Sequence, residues 1–143
     1  MCKLEEKIFE MLKEVARRLF AIRKEVQTCF NLTSGEYSAV CVLSKEKEVN
    51  QSTLSLLCGI DKPATSRLIN KMQKENLINK TLKKGNNKSI FIYLSEKGKC
   101  LAKQINQKIK EVKVKYFSNL DEHEKQIFLE MLSRKLKKEE NNA

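Results

Sequence analysis

The stretch Asp61 to Asn76 constrains the fold most, because its side chains separate into two contrasting faces at helical spacing. At about 100° per residue, one face of the helix carries four apolar residues and one threonine: Ala64, Thr65, Leu68, Ile69 and Met72. The opposite face has no carboxylate: Lys62, Pro63, Ser66, Arg67, Asn70, Gln73 and Lys74. Asp61 can cap the first turn, and Asn76 tolerates the left-handed conformation that ends many helices. Such a polar face suits a DNA major groove; the alternative is a solvated surface helix.

The residues before this stretch predict the first half of a helix-turn-helix. Asn50 can cap a short helix, residues 51–58, that points Leu54, Leu57 and Cys58 inward. Gly59 then breaks that helix, because glycine enters left-handed backbone conformations freely. A helix, a short turn with glycine and a second helix follow one another in a helix-turn-helix.

The residues after it predict a basic β-hairpin. Residues 77–82 and 89–94 are rich in β-forming side chains, and they flank a turn of Lys, Gly and Asn at 83–88. From Cys58 to Ser95 the sequence has eight Lys and Arg against two acids, a net +6 out of the chain's +11. This concentration indicates an anionic partner rather than an even solubility coat.

Long amphipathic segments flank this region. Residues 3–30 predict one helix, whose apolar stripe is wide enough to need several packing partners: Ile8, Leu12, Val15, Leu19, Ile22 and Val26. Thr33 and Glu36 have capping-box spacing for a second helix to about residue 44, and a short strand is expected near Val49. Residues 95–118 predict another long helix. A last helix from residue 120 is expected to bury Ile127, Phe128, Met131, Leu132 and Leu136.

Composition argues against several classes of protein. The longest apolar runs, residues 39–43 and 90–94, are too short to span a membrane, and acids near the N-terminus argue against a signal peptide. We therefore expect a cytoplasmic protein. The five cysteines are scattered without a C-x-x-C pair, which indicates neither a disulfide framework nor a metal site. His123, the only histidine, stands among acids, and no glycine-rich phosphate loop occurs. We expect no enzyme, no metal and no cofactor.

Several short motifs follow one another between residues 32 and 100. They are Leu32-Thr33, then VNQSTL at 49–54, CGID at 58–61, SRL at 66–68, KENLI at 74–78 and LSEKG at 94–98. Through this order and spacing the chain resembles the MarR family of bacterial and archaeal transcription regulators. Two positions depart from the family's pattern: Asn76 stands where glycine is usual, and Asn86-Asn87-Lys88 stands where the wing usually has Asp-x-Arg.

The resemblance implies a mainly α fold with a small β-hairpin wing, six helices in the order α-α-α-α-β-β-α-α, and a symmetric homodimer. Residues 1–31 and 95–143 would form the helical dimerisation region, and residues 32–94 the winged helix-turn-helix. The recognition helices, residues 61–75, would read a pseudo-palindromic double-stranded DNA operator in successive major grooves. The wings, residues 83–88, would touch the flanking backbone or minor groove.

The residues expected at DNA fall into three groups. Those on the recognition helix are Lys62, Pro63, Ser66, Arg67, Asn70 and Lys71. Among them Arg67 alone has the planar fork that binds a base edge bidentately, and it is the only arginine between residues 24 and 133. Ser52 and Thr53, in the first turn of the preceding helix, would bind phosphate through hydroxyls and helix-start amides. The wing group is Lys83, Lys84, Asn86, Asn87 and Lys88.

The expected regulation of DNA binding and the alternative functions rest on fewer residues. In the resembled family small aromatic ligands often bind between the dimerisation helices and the winged helix, which implies a ligand-responsive repressor. The nearby candidates are Phe20, Phe30, Tyr37 and Val40, and each is more simply a core residue. Oxidation of Cys2, Cys29 or Cys100 is the competing mode of response. A second class of function is a winged-helix module that binds another protein, against which the acid-free helix face argues.

Overall fold

The computed structural model describes residues 2–83 and 89–142, with the backbone alone for 83 and 138–142. The helices are α1 (Lys3–Cys29), α2 (Ser34–Glu46), α3 (Gln51–Cys58), α4 (Lys62–Lys74), α5 (Glu96–Tyr116) and α6 (Glu122–Asn142). The strands are β1 (Glu48–Asn50), β2 (Ile78–Lys83) and β3 (Ser89–Leu94). These bounds confirm the predicted order of six helices with a hairpin after the fourth. Within the described residues, no helix is long and apolar enough to cross a bilayer.

The chain divides into two compact units, residues 1–108 and 109–143. In the first unit, an antiparallel sheet in the order β1-β3-β2 forms one side of the core. Helices α2, α3 and α4 contact that sheet or one another. The side chains that fill this core are almost fully buried: Val40, Leu43, Leu54, Ile69, Met72, Ile78 and Ile92.

Local chemistry sets the ends of these helices. Thr33 and Glu36 form the predicted capping box at the start of α2, each side chain accepting from the other's backbone N–H. Gly59 ends α3 with a φ of 66°, in the left-handed region that its missing Cβ permits. Asn76 follows α4 with a φ of 61°, so the asparagine takes the conformation for which the family usually has glycine.

Two predictions of burial differ from the structure. Leu57 is 47% exposed, and the prediction that it points inward is wrong, because Leu54 and Ser55 form the inward face of α3 instead. In the second unit, the apolar residues of α6 that were expected to be buried are partly exposed: Ile127, Phe128, Met131, Leu132 and Leu136. That prediction is wrong for the single chain, since the unit by itself leaves this face uncovered.

Helix α1 also leaves most of its apolar stripe uncovered. Val26 near its C-terminal end is buried, whereas Ile8, Leu12, Val15 and Leu19 are between 36% and 51% exposed. Large apolar side chains exposed in a row are unusual on a monomeric protein surface. The stripe is therefore available to a further packing partner, as its width in the sequence indicates.

Candidate nucleic-acid interface

Two hydroxyl groups hold the helix-turn-helix together at its centre. The Ser55 hydroxyl of α3 donates to Thr65 Oγ1 of α4 at 2.6 Å, and Thr65 donates in turn to the Asp61 carbonyl at 2.7 Å. Thr65 is fully buried, so this chain of bonds satisfies polar groups that water does not reach. The Asp61 carboxylate accepts from the Ala64 N–H at 2.8 Å and caps α4 as predicted.

The acid-free face of α4 lies on the surface. Lys62, Pro63, Arg67 and Asn70 are all exposed. Within the described residues, the Arg67 guanidinium has neither a hydrogen bond nor an ion pair, although every arginine fork can donate five. An exposed guanidinium with unused donors on a protruding helix is arranged to bind an external acceptor.

Ser66 and the start of α3 are more restrained than the sequence indicates. The Gln51 side-chain amide donates to Ser66 Oγ at 2.6 Å, so Gln51 fixes the rotamer of a predicted contact residue. Ser52 is exposed. The Thr53 N–H, however, donates to the Asn50 side chain at 2.8 Å, so this amide is already occupied by the helix cap. The hydroxyls of Ser52 and Thr53 and the Ser52 N–H remain candidate phosphate contacts there.

Lys71 is exposed on α4, but its ammonium is engaged by α2. Its ammonium donates to Glu36 Oε1 of α2 at 3.0 Å and lies 3.9 Å from the Glu75 carboxylate. The Glu36 side chain is only 4% exposed. Burial by itself would raise the pKa of Glu36, but the hydrogen bond from Lys71 and other donors hold that pKa below its usual value. Lys71 thus joins α4 to α2, and its place among the predicted DNA contacts stays a prediction.

The β2–β3 hairpin extends past the rest of the sheet. Strand β1 pairs only with residues 91–93 of β3, whereas β2 pairs with β3 from Ile78↔Leu94 out to Lys83↔Ser89. The predicted contacts Lys84, Asn86, Asn87 and Lys88 lie outside the described residues, as does the side chain of Lys83. The exposed Lys80 of β2 is a further cation on this hairpin.

A cavity of about 620 Å³ opens beside the C-terminal end of α4. Its wall combines apolar with charged side chains: Phe30, Leu32, Leu77 and Leu101 with Glu36, Lys71, Glu75 and Lys97. Of the four predicted effector residues only Phe30 lines it. Tyr37 and Val40 are buried in the core, and Phe20 is exposed on α1.

Sequence reasoning missed three residues that organise this region: Gln51, Ser55 and Glu36 in its role toward Lys71. Their partners lie 10 to 35 positions away along the chain, a separation at which helical periodicity carries no signal. One signal was present: Thr65 is a hydroxyl on an otherwise apolar face, and such a group needs a buried partner.

The comparisons with known proteins agree with this geometry. Residues 32–90 match the family model described as "MarR family". This segment of the chain is therefore similar to the MarR family.

A relative and two solved structures are also similar to this chain. An uncharacterised HTH-type transcriptional regulator, YvnA of Bacillus subtilis (strain 168), is 36% identical over 75 residues, which are 50% of this chain. The match spans about half, 48%, of that relative's own length. The structure of a MarR family protein from Bacillus stearothermophilus superposes with a TM-score of 0.82 at 20% identity, covering 97% of this chain and 96% of that one.

A further solved structure carries a ligand. NadR in complex with 4-hydroxyphenylacetate has a TM-score of 0.70 at 18% identity, and the superposition covers 90% of this chain and 91% of NadR. At such identities the two structures establish the MarR-type fold of this chain.

Proposed function

We propose that this chain is a transcription regulator of the MarR type that binds double-stranded DNA sequence-specifically through α4. The observation that carries the proposal is Arg67, an exposed guanidinium without a partner among the described residues, on a helix face without a carboxylate. Arginine binds the O6 and N7 acceptors of guanine bidentately in the major groove. The hydroxyl pair Ser55 and Thr65 holds α4 against α3, so the guanidinium is presented on a fixed helix.

Phosphate contacts would come from side chains around this base-reading residue. Lys62, Ser66 and Asn70 share the face of Arg67, and Ser52 adds a hydroxyl at the start of α3. The wing residues Lys83, Lys84, Asn86, Asn87 and Lys88 complete the proposed set on the flanking backbone or minor groove. Lysine acts there as a point charge, so these contacts position the protein without specifying sequence.

Salt dependence of binding tests the proposal. Affinity for the duplex upstream of the protein's own gene is measured by fluorescence anisotropy over a series of salt concentrations. We expect Lys62→Gln to reduce the slope of log affinity against log salt by about 0.9, the value of one phosphate contact. Lys7→Gln, an exposed lysine on α1, serves as the matched control and should leave the slope unchanged. Absence of duplex binding at low salt would contradict the proposal.

We further propose that the protein acts as a symmetric homodimer. The stripe of α1 and the apolar face of α6 are both left exposed in the single chain, and a second copy would bury them. Two recognition helices would then address the two halves of a pseudo-palindromic operator. Sedimentation equilibrium tests this: the wild type should be a dimer and Leu12→Glu a monomer, whereas a monomeric wild type would contradict the proposal.

The cavity beside α4 supports a second part of the function, a response to a small aromatic acid. Its volume lies in the range of ligand sites, and it contacts α4 through Lys71 and Glu75. The carboxylate of a bound acid would compete with Glu36 for the Lys71 ammonium, while Phe30 and Leu101 would contact the ring. Such a ligand would alter DNA binding because it prefers one placement of α4 over another.

NadR's ligand provides the first probe of this site. Titration calorimetry with 4-hydroxyphenylacetate should give saturable binding that Lys71→Gln weakens and that Lys103→Gln, an exposed lysine outside the cavity, leaves unchanged. The same compound should lower affinity for the upstream duplex. No saturable binding by the wild type would rule out this class of effector. Burial raises the pKa of the Cys41 and Cys58 thiols, which makes these two unreactive, whereas the thiol-switch candidates Cys2, Cys29 and Cys100 are exposed.

A further inference from the structure

The β2–β3 hairpin carries an apolar pair where a solvated wing would be polar. Successive side chains alternate between the two faces of a strand, so Ile78, Lys80 and Leu82 share one face of β2. Their register partners on β3 are Leu94, Ile92 and Ile90. The first of these pairs is buried in the core, but the last, Leu82 with Ile90, lies beyond the end of β1.

This wing pair, Leu82 and Ile90, is exposed although it belongs to the core-facing side of the hairpin. Leu82 is 55% exposed and Ile90 is 48% exposed, whereas Ile78 and Leu94 on the same face are buried. Two cross-strand apolar side chains form one contiguous patch, because directly opposite Cβ atoms lie about 5 Å apart. An apolar patch exposed to water on a hairpin indicates a surface that another molecule covers.

The charge around the pair identifies the kind of molecule that covers it. Residues 76–95 contain four lysines and no acidic residue, and the exposed Lys80 lies next to Leu82 on the same face. A partner must therefore combine negative charge with apolar surface. The minor groove of duplex DNA does so, because apolar side chains contact base steps and sugars there between two rows of phosphates.

We propose that Leu82 and Ile90 contact the sugar edges and floor of the DNA minor groove, and so supply a salt-independent part of the binding free energy. The inference rests on the proposed DNA-binding function and gives the wing a second mode of contact besides charge. It also compensates for the Asp-x-Arg pattern that Asn86-Asn87-Lys88 replaces, since apolar contact does not need a guanidinium.

The experiment separates apolar from ionic contact by its salt dependence. Duplex binding is measured at several salt concentrations for the wild type, for Leu82→Ser with Ile90→Ser, and for Lys80→Gln. Loss of phosphate contacts changes the slope of log affinity against log salt, whereas loss of apolar contact shifts the line without changing its slope. We expect the double variant to bind about tenfold more weakly at every salt concentration, and Lys80→Gln to flatten the slope.

A second variant tests whether the hairpin itself is preserved. Leu82→Thr with Ile90→Thr places β-branched, strand-forming residues at both positions, and it should show the same parallel shift. Wild-type affinity in this threonine variant would overturn the inference, because the serine effect would then be a loss of strand structure. A changed slope instead of a parallel shift would also overturn it.

Two further outcomes are distinguishable. If the serine variant changes the oligomeric state measured without DNA, the pair packs against a second copy of the chain, and the inference is overturned while DNA binding stands. If the wild type binds no duplex at all, the proposed function itself fails, and this inference fails with it.

Discussion

The hydroxyls of Ser55 and Thr65 lie 2.6 Å apart between the two helices of the helix-turn-helix. The Ser55 hydroxyl donates to Thr65, and the Thr65 hydroxyl donates in turn to the Asp61 carbonyl at the start of α4. The pair fixes how α4 leaves the turn, so the exposed face that carries Arg67 depends on a contact in the core. A buried hydroxyl pair of this kind stabilises only while both members are present.

Thr65→Val tests that contact. The change keeps the shape of the side chain but leaves the buried Ser55 hydroxyl without its acceptor, so we expect a loss of about 1–3 kcal/mol in the free energy of unfolding. Ser55→Ala should cost less, about 1 kcal/mol, because Thr65 keeps its bond to Asp61. Urea denaturation measures both. Ser52→Ala, on the exposed side of α3, is the matched control; a loss no larger than that control's would show that the pair adds nothing.

Backbone conformation at two positions gives a second prediction. A Cβ added at Gly59 meets no atom within 4 Å, so Gly59→Ala isolates the cost of a positive φ, about 1–2 kcal/mol. Asn76 has a similar φ of 61° with a side chain already present. Asn76→Gly should therefore be neutral or stabilise the protein by about 0.5 kcal/mol. Thermal melting of both variants checks the opposite signs, and destabilisation by Asn76→Gly would contradict this explanation.

Gly98 gives a third prediction. Glycine is required at this position because a larger residue would not fit, and not because of the backbone conformation. A Cβ at this position would overlap the backbone carbonyl of Leu77, which also accepts from the Ser95 N–H. Backbone atoms cannot rotate away, so Gly98→Ala should cost about 3 kcal/mol. Comparison with Gly35→Ala, where the Cβ would make ordinary contact with Leu68, provides the control. Equal melting temperatures for the two variants would contradict the assigned contact.

The Glu36–Lys71 pair predicts how stability depends on pH. Because the pKa of Glu36 is lower in the folded chain than in the unfolded one, the carboxylate stabilises the fold above its unfolded pKa. That contribution is lost as the pH falls through the folded pKa. The wild type should thus lose stability from about pH 5 downward, and Glu36→Gln should show a shallower decline in urea denaturation.

Glu75 is the matched comparison for Glu36, because its pKa is shifted in the opposite direction. The neighbouring Glu36 carboxylate raises the pKa of Glu75, so its ionised form weakens the fold at neutral pH. Glu75→Gln should therefore leave the protein as stable or more stable at pH 7. Identical pH profiles for the wild type and Glu36→Gln would show that Lys71 does not hold this carboxylate ionised.

The sequence predicted the features that depend on residues close together along the chain. Residues with local signals, such as Thr33 with Glu36, Gly59 and Asp61, set the helix ends that the structure shows. It did not predict Gln51 with Ser66 or Lys71 with Glu36, because these pairs form only when separate helices pack. The inward direction assigned to Leu57 failed for the same reason: the α3–α4 contact is made by a serine and a threonine, which hydrophobic periodicity does not detect.

Arg67 gives the most direct measurement of the central claim, that α4 reads DNA sequence. Affinity of the wild type and of Arg67→Ala is titrated against the upstream duplex and against a shuffled duplex of equal length and composition. If Arg67 binds a guanine bidentately, its loss should lower the affinity for the upstream duplex by about 1–3 kcal/mol and reduce the preference over the shuffled duplex correspondingly. An unchanged preference in Arg67→Ala, with the fold intact by circular dichroism, would contradict the claim.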